Sequence, residues 1–310
     1  MKLASIIASL FALLPFASPA AAAPFPVDDE FVSLRCGGAA MFDRLEDDPI
    51  AIDMRDLVGN QSSPAGFRAT DNEFLYVRIR VDVDPAPGGT LEPLAWGVLV
   101  DLDGDLRNYE LLFILDNTGA QPEVRIHPNR TTTIANSPAD PPDAAAMTLP
   151  FAMNARTLAA VSLFNGDTDH FIDLALPWSA LRPLGLDRDT PVYFWAATSG
   201  TGNTLDGDLA CHDRASGEPD LTIAASDPTV SDPVIDSDGD GFSDAEEVAA
   251  GSDPADPDSI PPSRLEGGGG CSTGQRAGDM TLFALVSLLV FVRRRQRVGR
   301  ERQDLASTVG

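Results

Sequence analysis

The sequence predicts an all-β fold whose main body is an antiparallel two-sheet sandwich over residues 24–225. Three observations predict it. Short runs alternate between apolar and polar residues, and turn-forming clusters separate them. With 26 glycines and 25 prolines among 310 residues, long helices are disfavoured, and no long amphipathic helical pattern is present. Hydrophobic residues make up 43% of the chain, including 15 Phe, 3 Trp and 3 Tyr, which is enough to build a core.

The clearest strand is 74–83. Leu75, Val77, Ile79, Val81 and Val83 lie on one face, and Tyr76, Arg78, Arg80 and Asp82 on the other. Runs 96–102 and 109–115 follow, joined through Asp103-Gly104-Asp105, which reads as a hairpin. Run 109–115 is apolar at nearly every position, so a central strand covered on both faces is expected there. Further strands are expected at 124–127, 158–164, 171–176, 192–198 and 221–224, with an early one at 50–54. Pro177-Trp178-Ser179-Ala180-Leu181 reads as a single helical turn closing one end of the sandwich.

Cys36 and Cys211 stand near the two ends of this domain. In an oxidising compartment they are expected to pair, and a bridge closing about 175 residues restricts the unfolded chain by about 4 to 5 kcal/mol in the chain-entropy treatment. Sugar-binding surfaces use aromatic rings, and two sets are available: Tyr76 with Arg78 and Arg80, and Tyr193 with Trp195. Cover by a loop or by the second sheet is the competing reading for both. The acidic turn, the alternating strand, the tryptophan strand ending in acids, and the strand running into Leu176-Pro177-Trp178-Ser179 together resemble the DOMON and family 9 carbohydrate-binding-module group. That resemblance covers about 110 residues. It implies a jelly-roll-like sandwich that binds sugars or, in some members, haem.

The sharpest motif runs from Asp236 to Glu247. Counting Asp236 as position 1, Asp238, Asp240, Asp244 and Glu247 fall at 3, 5, 9 and 12, and Gly241 at 6. This is the spacing of an EF-hand calcium loop. Alternate side chains of a tight loop converge on one point, Phe242 offers its backbone carbonyl, and Glu247 can give both oxygens from the start of a helix. Pro228 and Pro233 exclude an entering helix; only an exit helix over Asp244–Ala250, stopped by Gly251, is expected. With Asp253, Asp256 and Asp258 downstream, the stretch resembles a bacterial thrombospondin type 3 calcium repeat. That family implies Ca2+ held by the loop aspartates, in an acidic stalk over 226–262. Asp101, Asp103 and Asp105 also alternate beside a glycine, but Leu112 stands where a twelfth-position acid belongs. A second calcium site and a solvated hairpin turn both remain open at that point.

The two ends carry targeting signals. Lys2, the apolar stretch 3–16 and the alanines at 20–23 read as a secretory signal over residues 1–23. A glycine-rich spacer at 263–270 precedes Cys271, then an apolar run at 280–292 and an arginine cluster beginning at Arg293. The run is about 20 Å long as a helix, short for a stable span. The order of parts over 271–297 resembles the MYXO-CTERM sorting tag. That tag implies processing near Cys271 by an inner-membrane sorting protease and display at the cell surface or outer membrane, with 298–310 as a cytoplasmic tail.

Charge and missing motifs narrow the function. Asp plus Glu number 47 against 22 Lys plus Arg, a net charge of −25, which excludes nucleic-acid binding. The 3 histidines, His127, His170 and His212, form no HExxH or HxH, and neither Gly-x-Ser-x-Gly nor Glu-x-Asp-x-x-Glu occurs. The expectation is therefore an exported, surface-displayed calcium-binding protein, not an enzyme, that recognises glycan or extracellular matrix. An envelope polysaccharide hydrolase and a structural coat protein are the alternatives.

Overall fold

The computed structural model describes residues 22–45, 52–212, 220–238 and 242–261. The expected signal sequence, the glycine-rich spacer, Cys271, the apolar run at 280–292 and the tail lie outside the described residues. Among the described residues no helix is long and apolar enough to cross a membrane.

The chain opens with the short strands β1 (Val32–Ser33), β2 (Arg35–Cys36) and β3 (Ala39–Ala40), then β4 (Gly66–Thr70) and β5 (Phe74–Val81). Next come β6 (Ala95–Asp101), β7 (Leu111–Asp116), β8 (Glu123–Pro128), β9 (Met147–Pro150), the turn-length helix α1 (Phe151–Asn154) and β10 (Ala155–Ala159). β11 (His170–Pro177) runs into α2 (Trp178–Leu181), followed by β12 (Pro191–Ser199), β13 (Asp208–Leu209), α3 (Leu221–Ala224), β14 (Thr229–Val230) and α4 (Asp244–Ala250). One sheet has the order β1-β4-β5-β11-β10, and the larger has β13-β12-β6-β7-β8-β9 with β14 added to β12. All their pairings are antiparallel.

Period-two alternation places the core. Leu75, Val77 and Ile79 of β5 and Ile172, Leu174 and Leu176 of β11 meet Trp96, Val98, Phe113, Leu115 and Phe194 of the larger sheet in one buried cluster. The odd-numbered residues of β7 face that cluster. Leu112 and Ile114 face a second one, closed by Leu205, Leu209, Leu221 and Ala224. The central position expected for 109–115 is thus observed, with apolar cover on both sides.

The outer face of the smaller sheet is covered as well. Ala23 and Phe31 pack on Ala69, Tyr76 and Ala175 in a third cluster, with Phe25 beside them. Residues 22–31 therefore lie across this sheet, fastened where Ala23 N donates to Met153 O at 2.9 Å.

Several expected elements shift. Residues 221–224 form a helical turn rather than a strand. Asp220 caps it by accepting from Ile223 N at 3.1 Å, and Leu221 and Ala224, three residues apart, share the buried side. The strand expected at 158–164 lies earlier, at β10, and Val161 is 98% exposed. In place of the early strand at 50–54, residues 53–55 turn, with Arg55 N bonded to Ile52 O at 2.9 Å. Single-turn α2 forms where Pro177-Trp178-Ser179-Ala180-Leu181 predicts it.

Candidate calcium centre

The expected stalk over 226–262 opens as part of the sandwich. β14 pairs with β12 in the register Pro191↔Val230 and Val192↔Thr229. Arg68, buried in β4, donates from Nε to Val230 O at 3.0 Å and from Nη2 to Thr229 Oγ1 at 2.6 Å. Burial pulls its pKa down to about 10, against the opposing charge of Asp232. Asp232 itself accepts from Thr70 Oγ1 at 2.6 Å and Arg188 Nε at 2.7 Å. Asp227 receives Gly37 N and Gly38 N, both at 2.7 Å, from the β2–β3 turn. Backbone pairing with β12 and side-chain contacts to β4 thus hold the residues that lead into the loop, and the loop belongs to the same compact unit as the sandwich.

Within the loop, Asp236 is exposed, Asp238 and Phe242 are half-buried, and Asp244 and Glu247 are buried. Asp240 and Gly241 lie outside the described residues. Asp244 is the strut that closes the loop. Its two carboxylate oxygens accept from Ser237 N at 2.7 Å and Ser237 Oγ at 2.6 Å, while its own N donates to Ile235 O at 2.8 Å.

The two consecutive glutamates of α4 divide the work. Glu246 completes a capping box, accepting from Ser243 N at 2.9 Å while Ser243 Oγ accepts from Glu246 N at 3.3 Å. Glu247, one position on and about 100° around the helix, has 0% exposure. Gly251, at φ 76°, ends the helix in the left-handed region that glycine adopts without strain. Positions 1, 3, 5 and 12 of the loop all carry carboxylates, the hard-oxygen donors that calcium selects.

Residues 236–257 match the family model for the bacterial TSP3 repeat. The TSP3 repeat is a calcium-binding repeat, which is consistent with calcium at this loop. No curated protein and no solved structure matches the chain. Beside the TSP3 segment lies a cleft of about 590 Å³, walled by Val32 and Arg35 on one side, Phe242 and Ala245 on the other, with Arg68 and Asp236 also lining it.

The other expected site residues are placed differently. Tyr76, Arg78 and Arg80 lie beneath residues 22–31 and the 162–171 segment, at 0%, 2% and 4% exposure, so they present no face to a sugar. Tyr76 Oη donates to Asp71 Oδ2 at 2.7 Å, and Arg80 stacks on Phe171 with its Cζ 4.4 Å from the ring centroid. Trp195 is wholly buried, its Nε1 donating to Leu221 O at 2.8 Å, and its neighbour Tyr193 is half-buried. The cover is why alternation alone misleads: both sheets have apolar lids on their outer faces. Cys36 and Cys211 form a disulfide.

At the β6–β7 hairpin, Asp105 does not join Asp101 and Asp103. It bonds Arg107 Nε at 3.1 Å, and its pKa falls through that contact. Glu110 takes its place, a residue that the twelve-residue loop template passes over. The signal for it is the hairpin itself, which returns the chain within a few residues.

Proposed function

We propose that the chain is an exported, cell-surface calcium-binding protein in which the ion fixes the TSP3 segment against the sandwich and so sets the shape of the cleft beside it. The observation that carries this is the wholly buried Glu247 at position 12 of the loop, on a helix that packs beside β14. Asp236, Asp238, Asp240, Glu247 and the Phe242 carbonyl would hold the ion, with Asp244 bracing the loop. The bound ion supplies charge neutralisation and a fixed geometry.

The reading is of binding rather than catalysis, with glycan or matrix recognition assigned to the cleft walled by Arg35, Arg68 and Phe242. The jelly-roll-like resemblance to sugar-binding sandwiches favours that assignment. Export is supported by the signal-like first 23 residues and by the Cys36–Cys211 bridge, since structural disulfides persist outside the cytosol. Surface display after processing at Cys271 rests on the order of parts in the C-terminal segment.

Isothermal calorimetry on the chelator-stripped full chain in detergent tests the central claim. Calcium uptake is expected in the range of about 10⁻⁴ to 10⁻³ M, reduced by one ion per chain in the Asp236→Ala, Glu247→Ala double variant. Equal uptake by the wild type and that variant would overturn it.

A further inference from the structure

We propose that the β6–β7 hairpin carries a second divalent-cation site, made by Asp101, Asp103 and Glu110 with the side-chain carbonyl of Asn108. It uses none of the residues of the TSP3 loop and stands independently of it.

One carboxylate oxygen from each of the three acids lies within 4.8 Å of the others. Asp101 is the last residue of β6 and has 0% exposure. Its Oδ1 accepts from Gly104 N at 2.6 Å, and its Oδ2 is buried with no hydrogen-bond partner. A buried anion oxygen without a donor carries a desolvation cost that a cation would remove. Asn108 repeats the pattern: its Nδ2 donates to Glu110 Oε1 at 3.0 Å, and its Oδ1 is buried and unpartnered.

The remaining contacts preorganise the acids without neutralising them. Glu110 Oε2 accepts from Leu102 N at 2.8 Å, and Asp103 Oδ1 from Asp105 N at 2.9 Å. Arg107, the cation in the same hairpin, is turned to Asp105, with Nε and Nη2 at 3.1 and 3.3 Å from its carboxylate. Burial first, and the neighbouring acids second, push Asp101 upward and raise Glu110 to about 7. This is what clustered carboxylates do when no counter-charge is present.

Geometry explains why Glu110 serves. In a helix-closed loop, the closing acid arrives at the twelfth position. Here the return strand delivers it sooner, because Glu110 N donates to Val100 O at 2.9 Å and brings Glu110 beside the end of β6. Asp103 is exposed and Glu110 half-buried, so the site opens to solvent on one side. An all-oxygen set rich in carboxylate selects a hard ion of the calcium class.

The test starts from the full-length Asp236→Ala, Glu247→Ala variant, whose TSP3 loop is disabled, stripped with chelator and titrated with calcium chloride. One residual ion per chain is expected, lost when Asp101→Asn and Glu110→Gln are added. No residual ion, or a residual ion that survives both substitutions, overturns the proposal. A second readout needs no change in the hairpin: in the loop-disabled chain, calcium at about ten times its dissociation constant should slow amide exchange across residues 101–110 by about tenfold. Unchanged exchange there overturns the site even if the hairpin variants fail to fold. Loss of calcium from the TSP3 loop alone would leave both readouts intact.

Discussion

Arg78 and Asp173 face each other across β5 and β11 and are joined by two parallel bonds, Nε to Oδ1 at 2.7 Å and Nη2 to Oδ2 at 2.9 Å. The guanidinium lies between Phe31, 3.8 Å from its centroid, and Phe171, at 4.3 Å. Asp28 takes Nη1 at 2.8 Å, and Arg156 shares Asp173 at 2.7 Å. The pair is what lets an outer strand face carry arginine under an apolar lid.

The two partners should therefore respond unequally. Removing Asp173 leaves Arg78 with only the exposed Asp28, whereas removing Arg78 leaves Asp173 paired with Arg156. Asp173→Asn should cost about 3 to 5 kcal/mol, in the range for an uncompensated buried charge, and Arg78→Met clearly less. Urea denaturation of both variants measures the difference. Equal costs, or a larger cost for Arg78→Met, would contradict the assigned geometry.

The Cys36–Cys211 bridge joins residues 175 apart, tying the β2–β3 hairpin to the chain that follows β13. Cys211 N also donates to Phe42 O at 2.8 Å, so the two segments meet through backbone as well as sulfur. Replacing both cysteines by serine should lower stability by about 4 to 5 kcal/mol if the effect is mainly on the unfolded chain. Denaturant midpoints with and without reductant check it. A wild type insensitive to reductant under conditions that expose both sulfurs would show the bridge to be dispensable.

Most of the sandwich is legible in the residues because strand period and burial coincide: β5, β6, β7, β11 and β12 each read correctly within two or three residues at either end. β4 and β9 escape notice for different reasons. β4 is short and begins at Gly66, whose absent side chain accommodates Met41 Sδ 2.4 Å from where a Cβ would stand. In β9, Met147–Pro150 is only four residues long and largely exposed, so Met147 and Leu149 give too short an alternation to stand out. The exit helix of the calcium loop could be read to the residue, because its cap, its acids and its terminal glycine are all local signals. The outer faces could not. That Tyr76 or Trp195 is covered depends on residues 22–31 and on Leu205, Leu209, Leu221 and Ala224 packing back onto the sheets, and no local pattern encodes such a return.

At Gly97 the backbone of β6 lies too close to β7 to admit a side chain. A Cβ there would stand 1.9 Å from Phe113 O and 2.9 Å from Phe113 C, across the β6–β7 ladder. Neither is the end of a flexible side chain, so the strands would have to separate. Gly97→Ala should destabilise by about 1 to 3 kcal/mol or more, seen as a fall in Tm, whereas Gly104→Ala, with nothing within 4 Å of the added carbon, should show only the smaller strain of its φ of 81°. Similar Tm losses for the two would refute the close approach.

His127 sits in β8 with its Nδ1 2.9 Å from Asp143 O, which fixes the proton on Nδ1 and leaves Nε2 as a bare acceptor, buried and without a partner. Charging the ring would bury an N–H that has no acceptor. Burial first, and the nearby charge of Arg125 after it, hold its pKa below the ordinary 6.5, with the Asp143 carbonyl pulling the other way. The unfolded chain takes up a proton near 6.5 that the native chain refuses. The unfolded state therefore binds more protons below that pH, and the contribution of His127 to stability is complete above 6.5 and lost as pH falls beneath it. His127→Gln should flatten the acid side of the Tm profile between pH 6.5 and 5, measured without calcium, and the ring resonances of His127 should titrate below 6.5 in the native protein. A ring that titrates at or above 6.5 would mean that Nε2 is solvated, and the acid-side slope would then have to come from carboxylates instead.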